Sequence, residues 1–374
     1  MNRSPKSVAH GLLVSVLVSG CSLVPTAPEQ APPTTIDPTA PRLSAINSQH
    51  FALSEDQTMV GAPQVVFTRY EHTLSDISRE YNLGFDEVRA ANPAVDPWLP
   101  GEEQPVVLPT HFILPRGPRD GLVLNLASMR LFFYRDTESG RQVVTHPIGI
   151  GRVGWETPIG SSAVIAKARD PAWYPPRSVR KEHAEMGDPL PAVVGPGPDN
   201  PLGRFAMKLD MPGYLIHGTN QPYGVGMRVS HGCIRLYPEN IEVVYEQVAI
   251  GTKVEIVNQP VLAAWHDGML FLEAHPALDE DERDQTVEAQ AIIEAVMAAQ
   301  GQPVTTIDQD LVAQVLSERR GIPFPVSRFA PPPDAYIVSA QPVENTAPIM
   351  TAEATLEEQQ ALAAEAAVDA TDSL

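Results

Sequence analysis

A mainly β body with antiparallel sheets, preceded by a small α/β module and followed by a small, mostly helical extension, is the fold class the sequence predicts. Short strand-like runs follow one another between residues 121 and 257 with no long helix between successive runs up to His217, which favours an antiparallel sheet over a doubly wound one. Two short helical patterns lie between apolar runs within residues 60–115. Two longer helical patterns, Asp281 to Ala299 and Asp308 to Arg320, follow the β region. At 374 residues the chain is too long for one core of usual size. Its 38 prolines, about twice average usage, place long irregular stretches between the modules.

Taken in order, the chain opens with Arg3 and Lys6 ahead of an apolar run, Leu12 to Val18. That run is too short for a hydrocarbon core about 30 Å thick and has the build of a signal peptide, residues 1–20. It ends in Val18-Ser19-Gly20-Cys21, which resembles the bacterial lipobox, and Ser22 resembles the sorting pattern of Gram-negative outer-membrane lipoproteins. The resemblance implies lipid on Cys21, and several acyl chains there would anchor the protein stably. With Cys21 so used, Cys233 has no disulfide partner and persists as a free thiol outside the cytoplasm.

Residues 21–59, rich in proline, threonine and serine, read as a tether. In residues 60–115, Leu74, Ile77, Ser78 and Tyr81 share a helical face that Thr73 can cap, a second helix spans Gly84 to Ala91, and Val106 to Leu108 closes as a strand. This β-α-α-β outline, with its Thr-Leu-Ser-Asp-Ile and Asn-Pro segments, resembles a LysM domain, except that Glu71-His72 stands where a Gly-Asp pair is usual. The β domain, residues 120–258, starts with period-two alternation from Gly121 to Tyr134, broken at Ala127-Ser128, which predicts a hairpin. Further strands are expected at Val143 to Ile150, Ala163 to Lys167, Phe205 to Leu209, Tyr214 to His217 and Thr252 to Val257, with a helix through Ile241 and Val248. Between Pro171 and Pro201 lies a proline-rich loop with no clear period, the kind of length that is functional or disordered. Residues 261–330 form the appended helical subdomain, and residues 331–374 an acidic, disordered tail.

A net charge of −20 opposes the electrostatic attraction on which nucleic-acid binding depends, so nucleic acid is dropped as a partner. Nothing suggests a redox or nucleotide cofactor. The chemistry gathers in Ile216-His217-Gly218-Thr219 and Ser230-His231-Gly232-Cys233-Ile234-Arg235-Leu236. A thiolate is the attacking species, and imidazole is the usual group that generates it near neutral pH. Gly232 permits close backbone approach beside the sulfur, and the N–H groups of Gly232 and Cys233 are candidates to hold an oxyanion. Two blander readings stand beside this. His217, His231 and Cys233, with His183, could ligate zinc, although no fourth ligand is evident in the motif. Alternatively, Cys233 is a small buried hydrophobe and His217 a satisfied core histidine.

The two segments strongly resemble the catalytic signature of the YkuD-type L,D-transpeptidase family, with support from Gly149-Ile150-Gly151, Trp155 to Gly160 and Asn200 to Gly203. The resemblance implies a thioester-forming Cys233, His217 as its base, and a loop shaped by Ser230, His231 and Gly232. It also implies a backbone carbonyl, from Gly218 or Thr219, that orients the histidine in place of an acid. Gly218, Thr219 and Arg235 are the substrate-side positions, Arg235 either receiving a stem-peptide carboxylate or tying the loop to nearby carbonyls. The implied partners are peptidoglycan stem peptides and glycan, with a second stem, an envelope-lipoprotein lysine or water accepting the acyl group. No cofactor and no metal are implied. The location is periplasmic, lipid-anchored at the outer membrane. The competing class is a non-catalytic LysM lipoprotein that binds the wall.

Overall fold

A computed structural model describes residues 36–37, 41–44 and 50–348. The signal segment, Cys21 and residues 349–374 lie outside the described residues. The first strands are β1 (His50–Ala52), β2 (Met59–Gly61) and β3 (Gln64–Phe67), followed by α1 (Leu74–Glu80), α2 (Phe85–Ala91), β4 (Pro105–Leu108) and β5 (His111–Ile113). α1 begins where Thr73 can close a capping box: Asp76 N–H donates to the Thr73 hydroxyl at 3.2 Å, and Thr73 N–H donates to the Asp76 carboxylate at 2.8 Å. β3 and β4 pair antiparallel around the two helices, whose apolar residues Leu74, Ile77 and Val88 are fully buried.

The β domain contains β6 (Gly121–Asn125), β7 (Arg130–Thr137), β8 (Gly140–Pro147), β9 (Ile150–Gly151), β10 (Gly160–Arg169), α3 (Arg177–Glu185), β11 (Phe205–Leu209), β12 (Leu215–His217), β13 (Arg228–Ser230), β14 (Ile234–Arg235), α4 (Pro238–Gln247) and β15 (Lys253–Val257). One nine-stranded sheet runs in the order β1-β8-β7-β6-β15-β10-β11-β12-β14. The predicted hairpin is β6–β7, and a mainly β body is what the chain forms. The pairing is mixed, however: β15 lies parallel to β6 and β14 parallel to β12. In each case the chain crosses back before pairing, over α4 for β15 and over the loop after His217 for β14. The inward residues Leu122, Leu124, Met207, Ile216 and Ile234 meet Ile241 and Val244 of α4 in the main core. Each such side chain contributes roughly 2 kcal/mol by leaving water.

After β15 come β16 (Val261–His266), β17 (Met269–Ala274), α5 (Gln285–Ala299), α6 (Gln309–Glu318), β18 (Phe324–Pro325), α7 (Pro333–Val338) and β19 (Gln341–Val343). The two longer helices stand at the predicted places, but they pack on a three-stranded sheet, β16-β17-β18, that was not expected. The turn between β16 and β17 places Asp267 at φ 47° and Gly268 at φ 80°, the two-residue hairpin for which Asp-Gly is suited.

Two expected boundaries move. β1, placed in the tether by composition, pairs with the open edge of β8. Residues 331–348, placed in the disordered tail, are ordered: they include α7, β19 pairs parallel with β3, and Val343 and Ala347 are buried against α1 and its neighbours. A short apolar pairing partner outweighs the acidic composition around it. No helix among the described residues is long and apolar enough to cross a membrane.

Candidate active site

The register of β12 on β14 builds the site. Ile216 is opposite Ile234 and His217 is opposite Arg235, so Cys233, one residue before β14, is level with Leu215. Side chains alternate across a strand. Ile216 and Ile234 therefore point into the core, while His217, Cys233 and Arg235 share the other face. All three line one cleft of about 440 Å³, with Ser230, His231, Tyr214, Leu202 and, from the proline-rich stretch, Trp173, Tyr174, Pro176 and Val179.

His217 is 3% exposed. Its Nδ1 lies 2.6 Å from the Gly218 carbonyl oxygen, so Nδ1 carries the proton and Nε2 is left as the acceptor. Burial and the nearby Arg235 guanidinium push the imidazole down to about 3, against smaller opposing effects from the Gly218 and Leu202 backbone. The Cys233 thiol is pushed up by burial, partly offset by the Leu215 backbone and Arg235, and it donates weakly to the Gly213 carbonyl at 3.7 Å. Both shifts favour a neutral thiol beside a neutral imidazole in the resting site.

The turn before the thiol is held from several sides. Ser230 Oγ donates to the Cys233 carbonyl at 2.6 Å, and Thr157 Oγ1 donates to the Gly232 carbonyl at 2.9 Å. Gly232 sits at φ +99°, and a Cβ there would lie 3.0 Å from the Tyr214 ring, so glycine is required both for conformation and for space. Its N–H donates to Ser230 Oγ at 3.2 Å. His231 is tied to α3: its Nε2 lies 2.8 Å from Glu182 Oε2, and Arg152 pairs with the same carboxylate. The Trp155 ring meets the His231 ring edge-on at 4.8 Å. Glu182 and Arg152 thus tie the proline-rich stretch to the cysteine turn, and no local sequence signal marks them.

Of the three substrate-side positions, only Arg235 lines the cleft. Gly218 is committed to His217 through its carbonyl, and buried Thr219 accepts from the Gln221 N–H in the following turn. Arg235 has a buried Nε without a hydrogen-bond partner among the described residues. Its Nε ties no loop carbonyl among the described residues. The zinc alternative does not assemble either: among the described residues no group of three or more His, Cys, Asp or Glu is placed to hold a metal ion.

The family model for the YkuD L,D-transpeptidase catalytic domain matches residues 119–256. Similarity to curated proteins extends well beyond that span. The chain is 36% identical over 277 residues to the protein named Probable L,D-transpeptidase YbiS of Escherichia coli K12, covering 72% of this chain and 89% of that one. It is 36% identical over 297 residues to Probable L,D-transpeptidase ErfK/SrfK of Salmonella typhimurium, covering 75% and 94%. Among solved structures, the catalytic domain from E. faecium L,D-transpeptidase is 22% identical with a TM-score of 0.29, covering 38% of this chain and 99% of that one. Since the likeness to the two enterobacterial proteins takes in nearly all of their length, this chain belongs to the YkuD-type L,D-transpeptidase family.

Proposed function

We propose that the protein is a peptidoglycan L,D-transpeptidase working as a cysteine acyltransferase, with Cys233 as nucleophile and His217 as base. The observation that carries this reading is the shared face and shared cleft of these two side chains. His217 Nε2 takes the thiol proton as sulfur bonds to the carbonyl carbon of the third, diamino-acid residue of a tetrapeptide stem. The oxyanion rests on the Gly232 and Cys233 N–H groups, the former leaving its 3.2 Å contact with Ser230 Oγ. The bond to the terminal D-alanine then breaks, His217 returns its proton to the departing amine, and a thioester remains. An acceptor amine attacks it, passing a proton to His217, and the Cys233 thiolate leaves and is reprotonated. A second stem as acceptor gives a 3→3 cross-link, and an envelope-lipoprotein lysine gives a tethered protein.

Arg235, a partly buried cation lining the cleft with no carboxylate paired to it among the described residues, fits the donor's free carboxylate. Replacing it with methionine should raise the donor KM roughly thirtyfold, the equivalent of about 2 kcal/mol for a lost buried charge contact, with a smaller change in kcat. An unchanged KM would assign the guanidinium elsewhere. The reading extends to the rest of the chain as follows: residues 60–115 are a LysM-like glycan-binding module, residues 171–201 wall the acceptor side, and lipid on Cys21 anchors the protein at the outer membrane. Changing Cys21 to serine should release the protein from the membrane fraction on cell fractionation. Incubating the protein with purified tetrapeptide muropeptides, with and without a lysine-ended peptide, tests the activity and the acceptor together. Mass spectra showing neither D-alanine release nor a joined product would refute it.

A further inference from the structure

We propose that the two-helix module in front of the β domain is a positioning element of the acyl-transfer site, acting through a backbone-to-backbone contact at Gly84 and Gly226. The inference rests on the assignment of Cys233 and His217 above.

The loop that separates those residues in sequence runs through Val225, Gly226 and Met227 before reaching β13. The start of α2 is laid directly on it. Phe85 N–H donates to the Val225 carbonyl at 3.5 Å and Asp86 N–H to the Gly226 carbonyl at 3.1 Å, so two helix-terminal donors end on the catalytic loop rather than in water. Gly226 sits at φ +76°, and a Cβ on it would lie 2.2 Å from Gly84 Cα and 2.5 Å from Phe85 N. A Cβ on Gly84 would lie 2.8 Å from Gly226 Cα. Only two glycines allow the chains to approach so closely.

The same loop touches the site on its other side. A Cβ on Gly149 would lie 2.8 Å from the Gly224 carbonyl oxygen and 3.4 Å from Arg235 Cβ. Gly149 exchanges backbone hydrogen bonds with Arg235 at 2.8 and 2.9 Å, and Ile150 N–H donates to the Met227 carbonyl at 3.1 Å. Backbone contact thus passes from Gly84 through residues 224–227 and Gly149 to the strand that follows Cys233.

The module itself is fixed in place. Asn82 Nδ2 donates to the Thr145 carbonyl at 3.0 Å, Asn240 Nδ2 to Asn82 Oδ1 at 2.6 Å, and Tyr237 Oη to the Leu83 carbonyl at 3.1 Å. Arg79 pairs with Glu239 at 3.0 Å. Gly84 N–H donates to Glu87, whose carboxylate is held at 2.7 Å by Arg130, a side chain 1% exposed in the β domain. Tyr237, two residues beyond Arg235, ties the strand of the nucleophile to the same turn, Leu83 to Phe85, that carries the loop. Glycan binding alone would not require this contact with the catalytic loop.

The test measures the rate at which a carbapenem acylates Cys233 in the full-length chain, by intact-protein mass spectrometry. Donor affinity is measured in parallel with a tetrapeptide muropeptide. Gly226→Ala should slow acylation about 100-fold, the scale of an ångström-sized misplacement, and leave muropeptide affinity within about twofold. Tyr237→Phe, which removes one hydroxyl and keeps the ring, should slow it a few-fold at an unchanged melting temperature. Should Gly226→Ala fail to fold, Tyr237→Phe decides. Acylation at the wild-type rate in a folded Gly226→Ala, or in Tyr237→Phe when that variant has to decide, overturns the positioning role and leaves the activity standing. A wild type that forms no adduct overturns the acyl-transfer reading, and this inference with it.

Discussion

Replacing Cys233 by alanine is expected to abolish both thioester formation and peptide transfer. The loss should be about 10⁴-fold or more, because nothing else in the cleft replaces the nucleophile. The side chain is half-buried and its thiol donates only weakly, to the Gly213 carbonyl at 3.7 Å, so the folded structure should be retained within about 1 kcal/mol. His217→Ala is expected to cost nearly as much activity, and the double variant little more than either alone, because thiol and imidazole act as a unit. Muropeptide analysis by liquid chromatography and mass spectrometry checks all three proteins. The competing wall-binding reading makes the opposite forecast: Cys233→Ala would hold the envelope as well as the wild type, with unchanged cross-links.

The shared face of Cys233 and His217 was legible in the sequence because each adjoins or ends a short apolar strand. Period-two alternation through Leu215 to His217 and Ile234 to Leu236 assigns core and site faces without knowledge of the partner strand. Of the two carbonyls expected beside His217, those of Gly218 and Thr219, it is Gly218's that lies 2.6 Å from Nδ1. Ser230 Oγ accepts the Gly232 N–H in the resting turn, a local capping that the motif alone does not reveal. Glu182 was illegible for a different reason. α3 is a polar helix with Val179 as its one buried residue, set among prolines, and its ion pair spans 30 positions to Arg152 and 49 to His231. The β16–β17 hairpin carries a local signal in Asp267-Gly268, whereas β18 and β19 are too short to stand out without the strands they join. Placement of the front module on the catalytic loop left only two separated glycines in the sequence, Gly84 and Gly226, each indistinguishable from an ordinary turn residue.

Acid should unfold this protein steeply, and three buried histidines, the site's His217 among them, are the cause. His217 and His146 are each pushed down to about 3 and His111 to about 4, burial being the main cause in all three, with Arg235, Arg130 and His266 respectively adding like-charge repulsion. A histidine whose folded pKa lies below its unfolded value of 6.5 binds fewer protons when folded. Its contribution is therefore fully present above 6.5 and is lost as pH falls. Each group gives a slope of about 1.4 kcal/mol per pH unit, so the three together cost roughly 5 kcal/mol between pH 7 and pH 5, a large part of an ordinary domain's stability. Urea unfolding at pH 7, 6 and 5 measures this directly. Stability that stays flat or rises over that range would show that these imidazoles are protonated in the folded state. His111→Phe, which keeps a ring against Phe271, should reduce the slope by about one third if the three groups contribute equally. The same reasoning separates the two ways activity can fail in acid. His217 remains a neutral base far below the usual histidine range, so loss of transfer near pH 5 should follow the unfolded fraction, and carbapenem acylation of the protein still folded at that pH should proceed.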